Sequence, residues 1–265
     1  PFNVQYLVQD EEVYVIECNL RSSRSMPYVS KIRGINLMKL AARVIMGEKI
    51  PEKLLNLPYG DFVGVKSPMF SFMRLDNADP ILGVEMNSTG EVGVIGEDFP
   101  DGLMKALEAA EQFIPVEGGN VLISVGGRKL KQQVIPLAQK LKELGFTIFA
   151  TEDTERYLEE NGIEAVRLYK VREEGKEPNI MACLQEGRID MVINIPLPTT
   201  AEEKFRQIIK DEYEIRRMAI DYNIPVIINL QLAEAVIDAI EKVRKQPLTV
   251  KSLNDYHDQL DEVYW

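Results

Sequence analysis

The feature that most constrains the fold of this chain is a regular alternation of short apolar runs and amphipathic helical patterns between residues 121 and 243. The apolar runs lie at 121–125, 147–150, 165–171, 191–195 and 225–228, and the helical patterns at 129–144, 155–161, 180–186, 201–222 and 230–243. Near-continuous apolar strands that alternate with helices are typical of a parallel sheet covered by helices on both faces. The pattern therefore predicts an α/β fold for this section.

Polar residues stand where four of these predicted strands end. Ser124 is near the end of the first, Thr151 and Thr154 lie where the second gives way to a helix, Lys170 is near the end of the third, and Asn194 ends the fourth. Ligands of parallel sheets bind beyond the carboxyl ends of the strands. Hydroxyl groups beside the free amides of a helix start can bind an anion, although plain helix capping by either threonine is the alternative. Four strand ends at one edge favour a pocket.

The first residues predict a β-hairpin with strands at 4–8 and 13–16 and a turn at 10–12. A two-stranded hairpin is only marginally stable alone. We therefore expect the rest of its sheet to lie upstream of Pro1. A helix is predicted at 36–46.

Oxygen-bearing and cationic side chains gather on this hairpin and the loop after it. Glu17 and Asn19 are two residues apart and share a face, and Gln5 lies on the neighbouring strand. Three such donors suit magnesium, and Arg21 and Arg24 in the following loop could clamp a phosphate or carboxylate. A metal site beside two arginines is typical of phosphoryl transfer, but a surface hairpin with a salt-bridged loop explains the spacing equally well.

We divide the chain into residues 1–49, residues 50–116, residues 117–245 and a tail at 246–265. The second section carries the run Val63-Gly64-Val65-Lys66, to which no element is assigned. After it the sequence predicts strands at 83–86 and 91–94, and a helix capped by Asp98 or Asp101 that runs to about Phe113. A turn at 88–90 joins these two strands. Glu85 and Glu91 are candidate functional carboxylates, but a structural hairpin is the preferred interpretation.

Composition excludes several classes of function. The net charge of −11 argues against a nucleic-acid partner, because a phosphate backbone demands a basic face. No apolar run approaches the length of a membrane span, so we expect no membrane partner. Cys18 and Cys183 form no metal or redox motif, which favours a reducing, cytoplasmic location.

The hairpin and its loop resemble a known family. The stretches Asn3-Val4-Gln5-Tyr6 and 16–31, which ends in Pro27-Tyr28-Val29-Ser30-Lys31, resemble the end of the second, carbamate-phosphorylating ATP-grasp domain in the large subunit of carbamoyl phosphate synthetase (synthase). The resemblance implies a partial α+β ATP-grasp segment ahead of the parallel sheet. It also implies that Gln5, Glu17 and Asn19 ligate the Mg²⁺ or Mn²⁺ ions that bridge the phosphates of ATP. Arg21 and Arg24 would be catalytic, holding the carbamate or the transferred phosphate.

The resemblance continues along the chain. Residues 65–72 and 78–92 resemble the stretch after that domain, and residues 149–154 resemble the methylglyoxal-synthase-like allosteric domain of the same family. By this resemblance the effector-binding residues are Ser124, Thr151, Thr154, Lys170 and Asn194, with Lys129 or Lys131 as a further contact.

The identity of the effector depends on two further positions. Members activated by N-acetylglutamate carry an aromatic residue in place of Lys170 and an asparagine in place of Leu197. A lysine favours a phosphorylated ligand. We therefore expect a nucleotide such as UMP or IMP.

The resemblance implies that the chain works as part of an ATP-dependent ligase, together with the rest of the large subunit and a glutamine amidotransferase small subunit, in an oligomer. We expect the chain alone to be inactive, because most of the ATP-grasp domain would lie upstream. Two alternatives are a stand-alone effector-binding module and a methylglyoxal synthase with Asp153 as its base.

We expect three further polar residues, Arg216, Arg217 and His257, to lie outside the binding sites. Arg216 and Arg217 are expected to pair with acidic neighbours on a solvated helix face, and His257, the only histidine, is expected to have no functional role. The acidic neighbours are Asp211, Glu212 and Asp221.

Overall fold

The computed structural model describes residues 1–52, 54, 60–71, 78–81, 88–173, 175–196 and 206–257. Its strands are β1 (Asn3–Gln9), β2 (Glu12–Asn19), β3 (Val63–Met69), β4 (Gly90–Gly96), β5 (Gly119–Val125), β6 (Phe146–Thr151), β7 (Val166–Leu168), β8 (Met191–Ile195) and β9 (Val226–Ile227). Its helices are α1 (Ser25–Arg33), α2 (Leu37–Ile45), α3 (Phe99–Ala109), α4 (Arg128–Glu143), α5 (Glu152–Glu160), α6 (Ile180–Gln185), α7 (Arg206–Asp221), α8 (Leu230–Lys245) and α9 (Leu253–His257).

The predicted α/β fold is confirmed by a five-stranded parallel sheet in the order β7-β6-β5-β8-β9. Successive side chains of a strand point to opposite faces. Ile123 accordingly packs with α4 and α8 on one face, and Leu122 packs with α6 and α7 on the other. Each face has its own apolar cluster, which is why the strands read as continuous apolar runs.

The second section packs against the parallel sheet rather than standing apart from it. Strands β3 and β4 form an antiparallel pair, and α3 follows them. Leu103, Met104 and Leu107 of α3 are buried in the same apolar cluster as Val236 and Ile240 of α8. The section is therefore continuous with the core of the sheet.

Several element boundaries differ from the predicted ones. The observed partner of β4 is β3, whereas the predicted partner at 83–86, with Glu85, lies outside the described residues. Glu91 forms an ion pair with Lys66 across this strand pair, with 2.9 Å between Lys66 Nζ and Glu91 Oε2. The predicted strand at 165–171 is shortened to β7, because Tyr169 leaves the ladder for an isolated bridge to Asn179.

The tail carries a short helix that its sequence pattern did not predict. His257 at the end of α9 is buried, and its Nε2 lies 2.8 Å from the backbone oxygen of Lys31 in α1. Phe62 packs edge-on against the same ring. In the structure His257 therefore ties the tail to α1. Within the described part of the chain, no helix is long and apolar enough to cross a membrane.

The opening hairpin is the most exposed part of the described structure. Strands β1 and β2 pair antiparallel with an irregularity between Gln5 and Tyr6. Apolar side chains on it are more than half exposed, among them Tyr6, Val8, Val15 and Ile16. The hairpin thus contributes little to the apolar core of the described residues.

The contact between β4 and α3 depends on glycine at position 96. A methyl group on Gly96 would lie 2.3 Å from the backbone nitrogen of Gly102, at the start of α3. Backbone atoms cannot yield as a flexible side chain can, so helix and strand would have to separate. We expect Gly96→Ala to lower the free energy of unfolding by about 3 kcal/mol, measured by urea denaturation.

Gly90 in the same strand is the matched control. A methyl group there meets its nearest atom, Cβ of Met69, at 3.9 Å, which is ordinary contact. Gly90→Ala should change the free energy of unfolding by no more than about 0.5 kcal/mol. Equal losses for the two variants would contradict the close approach of β4 and α3.

Candidate functional site

Buried polar side chains line the carboxyl edge of the parallel sheet on its α7 face. Ser124 and Asn194 are register partners on β5 and β8, and Thr151 ends β6. Their side chains continue the row of Leu122, Phe149 and Val192 toward the edge, since alternate residues share a face. They are buried where the apolar layer stops. The sheet therefore brings together the three strand-end residues that its sequence pattern indicated.

The hydroxyl groups of this edge are joined to each other. Ser124 Oγ lies 3.2 Å from Thr151 Oγ1, and Thr151 Oγ1 lies 3.4 Å from Thr154 Oγ1. The backbone N–H of Val125 donates to Thr154 Oγ1 at 3.2 Å. Thr151 is the N-cap residue of α5, but its side chain makes no capping hydrogen bond. The hydroxyl groups link β5, β6 and α5, so plain helix capping does not describe them.

Asn194 is the most deeply buried residue of the edge, with 0% of its surface exposed. Its Oδ1 accepts a hydrogen bond of 2.7 Å from Nη1 of Arg216. Its Nδ2 has no hydrogen-bond partner among the described residues. A buried amide donor left unsatisfied is costly, so this atom indicates a position for a bound acceptor.

The structure contradicts the predicted solvated position of Arg216. Its side chain is fully buried and makes a bidentate ion pair with Asp79, with Nε–Oδ1 and Nη2–Oδ2 distances of 2.9 and 2.6 Å. Adjacent helix residues point about 100° apart, so Arg216 and Arg217 lie in different surroundings, the first fully buried and the second partly buried. For Arg217 the predicted pairing is confirmed, because its Nη2 lies 2.7 Å from Oδ1 of Asp221. The predicted solvated position is not, because only 17% of its side chain is exposed.

The acidic residues of α7 are also buried rather than solvated. Asp211 and Glu212 are only 3% and 4% exposed. Asp211 Oδ2 accepts from Lys170 Nζ at 2.9 Å, and Asp211 Oδ1 accepts from Arg172 Nε at 3.1 Å. The predicted cation of the third strand, Lys170, therefore reaches the same edge, but it arrives there paired with a carboxylate.

Among the lysines of α4, Lys131 interacts electrostatically with charged residues of this edge. Lys129 is exposed, whereas Lys131 is partly buried. Burial lowers the pKa of Lys131, Asp153 opposes that effect, and the positive charges of Arg156 and Lys170 lower the pKa further. Glu212 also interacts with it. Of the two lysines that the sequence left open, Lys131 shares the electrostatic environment of Lys170.

The first turn of α5 is already rich in negative charge. Glu152, Asp153 and Glu155 occupy it, and Arg167 binds both glutamates, with its Nη2 at 2.7 Å from Glu155 Oε2. An anion at this helix start would therefore rely on Lys131 and Lys170 to offset the neighbouring carboxylates.

The predicted metal-binding residues of the hairpin are also brought together. Gln5 on β1 is the register partner of Glu17 on β2, and Asn19 Nδ2 donates to Glu17 Oε1 at 2.7 Å. Arg21 is exposed and donates to the backbone oxygen of Ser22, while Arg24 is exposed just before α1. No group of three or more His, Cys, Asp or Glu side chains that could hold a metal occurs in the described ranges. The hairpin set consists of one carboxylate and two amides.

Two family models match the chain. The carbamoyl-phosphate synthase L chain, ATP binding domain, matches residues 2–53, and the MGS-like domain matches residues 133–228. The chain therefore carries a segment of an ATP-binding domain ahead of an MGS-like domain.

Curated relatives extend the match over nearly the whole chain. The carbamoyl phosphate synthase large chain, C-terminal section, of Methanopyrus kandleri is 41% identical over 96% of this chain and 47% of that protein. The same section from Methanocaldococcus jannaschii is 40% identical over 96% of this chain and 41% of that protein. The complete large chain of Archaeoglobus fulgidus is 41% identical over 97% of this chain and 23% of that protein.

The chain belongs to the carbamoyl phosphate synthase large-chain family and corresponds to its C-terminal part, as the sequence resemblance predicts. It spans less than half the length of these relatives. Among solved structures, a methylglyoxal synthase from Elizabethkingia anophelis is 20% identical with a TM-score of 0.36, over 47% of this chain and 79% of that one.

Sequence reasoning missed two residues of the site, Asp79 and the inward-facing Arg216. Arg216 could have been recognised from helical spacing, because it follows Ile215 and precedes Ala219 on the apolar side of α7. Asp79 carried no local signal, since it comes from a distant part of the chain. Leu197, which bears on the effector, lies outside the described residues.

The electrostatic environment of Lys131 can be tested by substitution. We expect Lys170→Met to raise the pKa of Lys131, because it removes a like charge, and Asp153→Asn to lower it, because it removes the largest favourable charge. Lysine Cε resonances followed by NMR during a pH titration report this pKa. Lys142→Met, on the exposed surface beside Glu164, is the control and should leave it unchanged. Shifts of the same sign in Lys170→Met and Asp153→Asn would contradict the proposed arrangement of charges.

Proposed function

We propose that this chain is the C-terminal part of an ATP-dependent ligase, carbamoyl phosphate synthase, and that it binds a small anionic effector at the carboxyl edge of its parallel sheet. The observation that carries the effector site is the buried polar row Ser124, Thr151 and Asn194, with an amide donor of Asn194 left without a partner among the described residues. A buried polar row that borders an apolar layer requires hydrogen-bonding partners. The hydroxyl groups of Ser124 and Thr151 have each other, and a bound ligand would supply the acceptor that Asn194 Nδ2 lacks among the described residues.

A phosphorylated effector such as UMP or IMP fits this edge better than N-acetylglutamate. Lys131 and Lys170 provide two positive charges. Arg172 and Lys170 both form ion pairs with the carboxylate of Asp211. An incoming phosphate would compete with Asp211 for Lys170 Nζ. A phosphate gathers up to two negative charges on one group, whereas N-acetylglutamate divides its two charges between separate carboxylates, so the phosphate is the stronger competitor at a single lysine.

The hairpin residues fit the end of a metal-dependent nucleotide site. Gln5, Glu17 and Asn19 would hold Mg²⁺ or Mn²⁺, because hard divalent cations prefer oxygen ligands. Asn19 would first have to turn its amide, since Nδ2 now faces Glu17. A bound ion would neutralise charge on the phosphates of ATP. Arg21 and Arg24, both exposed after β2, would hold the carbamate or the transferred phosphate.

The methylglyoxal synthase alternative finds no support in the position of its candidate base. The side chain of Asp153 is 68% exposed and lies 3.8 Å from Arg156 on the outer surface of α5. Proton abstraction from a triose phosphate needs a base inside a pocket that excludes water. A stand-alone effector module is also less favoured, because the relatives match through the hairpin section as well.

The partners follow from the family. The chain spans 23% of the complete large chain of Archaeoglobus fulgidus, so catalysis would require the rest of a large subunit. We propose that a glutamine amidotransferase small subunit supplies ammonia, that the enzyme assembles as an oligomer in the cytoplasm, and that the chain alone is inactive. Neither nucleic acid nor membrane is among the proposed partners.

The effector site can be tested by calorimetric titration of the 265-residue chain with UMP, IMP and N-acetylglutamate. We expect a nucleotide to bind and Lys170→Met to weaken its binding about tenfold, since a charge-assisted hydrogen bond to phosphate is lost. Lys176→Met, an exposed lysine in the following loop, is the matched control and should bind as the unchanged chain does. Binding of N-acetylglutamate alone would overturn the nucleotide proposal, and binding of none of the three would overturn the site.

The metal site can be tested by electron paramagnetic resonance of Mn²⁺ added to the same chain. We expect Glu17→Gln to weaken Mn²⁺ binding about tenfold, because it removes the only carboxylate of the cluster. Glu12→Gln, at the opposite end of the same strand, is the control and should have no effect. Equal binding by Glu17→Gln and the unchanged chain would exclude this cluster as the metal site.

A further inference from the structure

Among the fully buried side chains of the described residues, that of Arg216 is the largest. A guanidinium in such a place needs a compensating charge and partners for its donors. Asp79 supplies the charge through two hydrogen bonds, and Asn194 Oδ1 accepts from Nη1. Asp79 belongs to the second section of the chain and is 34% exposed at its side chain. Arg216 thus connects Asn194, at the buried end of β8, with Asp79, which lies 137 positions before the arginine in the sequence.

The arginine decides how the amide of Asn194 is oriented. The two ends of an asparagine amide differ in chemistry, because the oxygen accepts and the nitrogen donates. A guanidinium has no acceptor, so only Oδ1 can face Nη1. Nδ2 is consequently turned away from Arg216, and it has no partner among the described residues.

We infer that Arg216, held in place by Asp79, is a positioning residue that makes Asn194 an obligate hydrogen-bond donor to the bound effector. The inference rests on the proposed effector site and goes beyond it by assigning the polarity of one contact. The pocket would select ligands that present an acceptor there, such as a phosphoryl or carbonyl oxygen. It would discriminate against ligands that present an amine or ammonium group.

The arrangement gives Asp79 a role in binding although it lies at the rim. Without the carboxylate, the buried guanidinium would lose its compensating charge and would turn toward other acceptors or water. Asn194 would then lose the contact that fixes its amide. Asp79 should therefore affect the ligand through Arg216 and Asn194 and through no separate route.

A double-mutant cycle on the full 265-residue chain tests this dependence. UMP binding is measured by calorimetry for Asp79→Asn, Asn194→Ala and the two combined. We expect Asp79→Asn to weaken binding about tenfold alone and less than about twofold in the Asn194→Ala background, since its effect passes through Asn194. Asp79→Glu, which keeps the charge, should recover most of the loss. Asp221→Asn, which removes an ion pair of the neighbouring Arg217, is the matched control and should have no effect.

A second measurement without ligand keeps the inference separable from the proposed effector site. The side-chain amide resonances of Asn194 in a ¹⁵N-labelled chain should shift in Asp79→Asn and stay in place in Asp221→Asn. Unmoved resonances in Asp79→Asn, or a tenfold loss that persists in the Asn194→Ala background, would overturn the inference. If the unchanged chain binds neither UMP nor IMP, the effector proposal fails, and the amide resonances still decide the role of Arg216.

Discussion

The parallel pairing of β5 with both β6 and β8 is the constraint on which the site depends. Because β5 lies at the centre of the sheet, its register with both neighbours sets which residues meet at the edge. Ser124 faces Asn194 across one ladder, and the other ladder brings Thr151 to Ser124 Oγ. A shift of one residue in either ladder would turn a polar side chain into the opposite apolar layer. Core packing and site geometry are therefore fixed by the same hydrogen bonds.

The charges of the edge are arranged as a balance of buried acids and bases. Asp211 and Glu212 enter from α7, Lys170 and Arg172 follow β7, and Lys131 enters from α4. Pairing of this kind lowers the cost of burying each charge. An anionic ligand would replace the ion pair between Lys170 and Asp211 with one between Lys170 and itself. The binding free energy therefore depends on the difference between these two ion pairs.

The sequence was sufficient to predict what depends on local pattern. Apolar runs between helices predicted the sheet, and the strand-end positions of Ser124, Thr151 and Asn194 followed from it. Arg216 was misplaced because two adjacent arginines look alike in sequence, whereas helix geometry turns one of them inward. Asp79 could not be predicted, since nothing local determines which distant carboxylate meets a buried guanidinium. The register of the hairpin did bring Gln5 and Glu17 together, as their spacing indicated.

The sharing of one apolar cluster between α3 and α8 bears on what counts as an independent piece of this protein. The match to the MGS-like domain begins at residue 133, yet Leu103, Met104 and Leu107 of α3 are buried in the same apolar cluster as α8. Excision at the start of the sheet would leave Val236 and Ile240 facing water and would cost the fragment part of its hydrophobic stabilisation. The stretch matched by the family model is thus shorter than the stretch that shares one apolar cluster, which extends to α3.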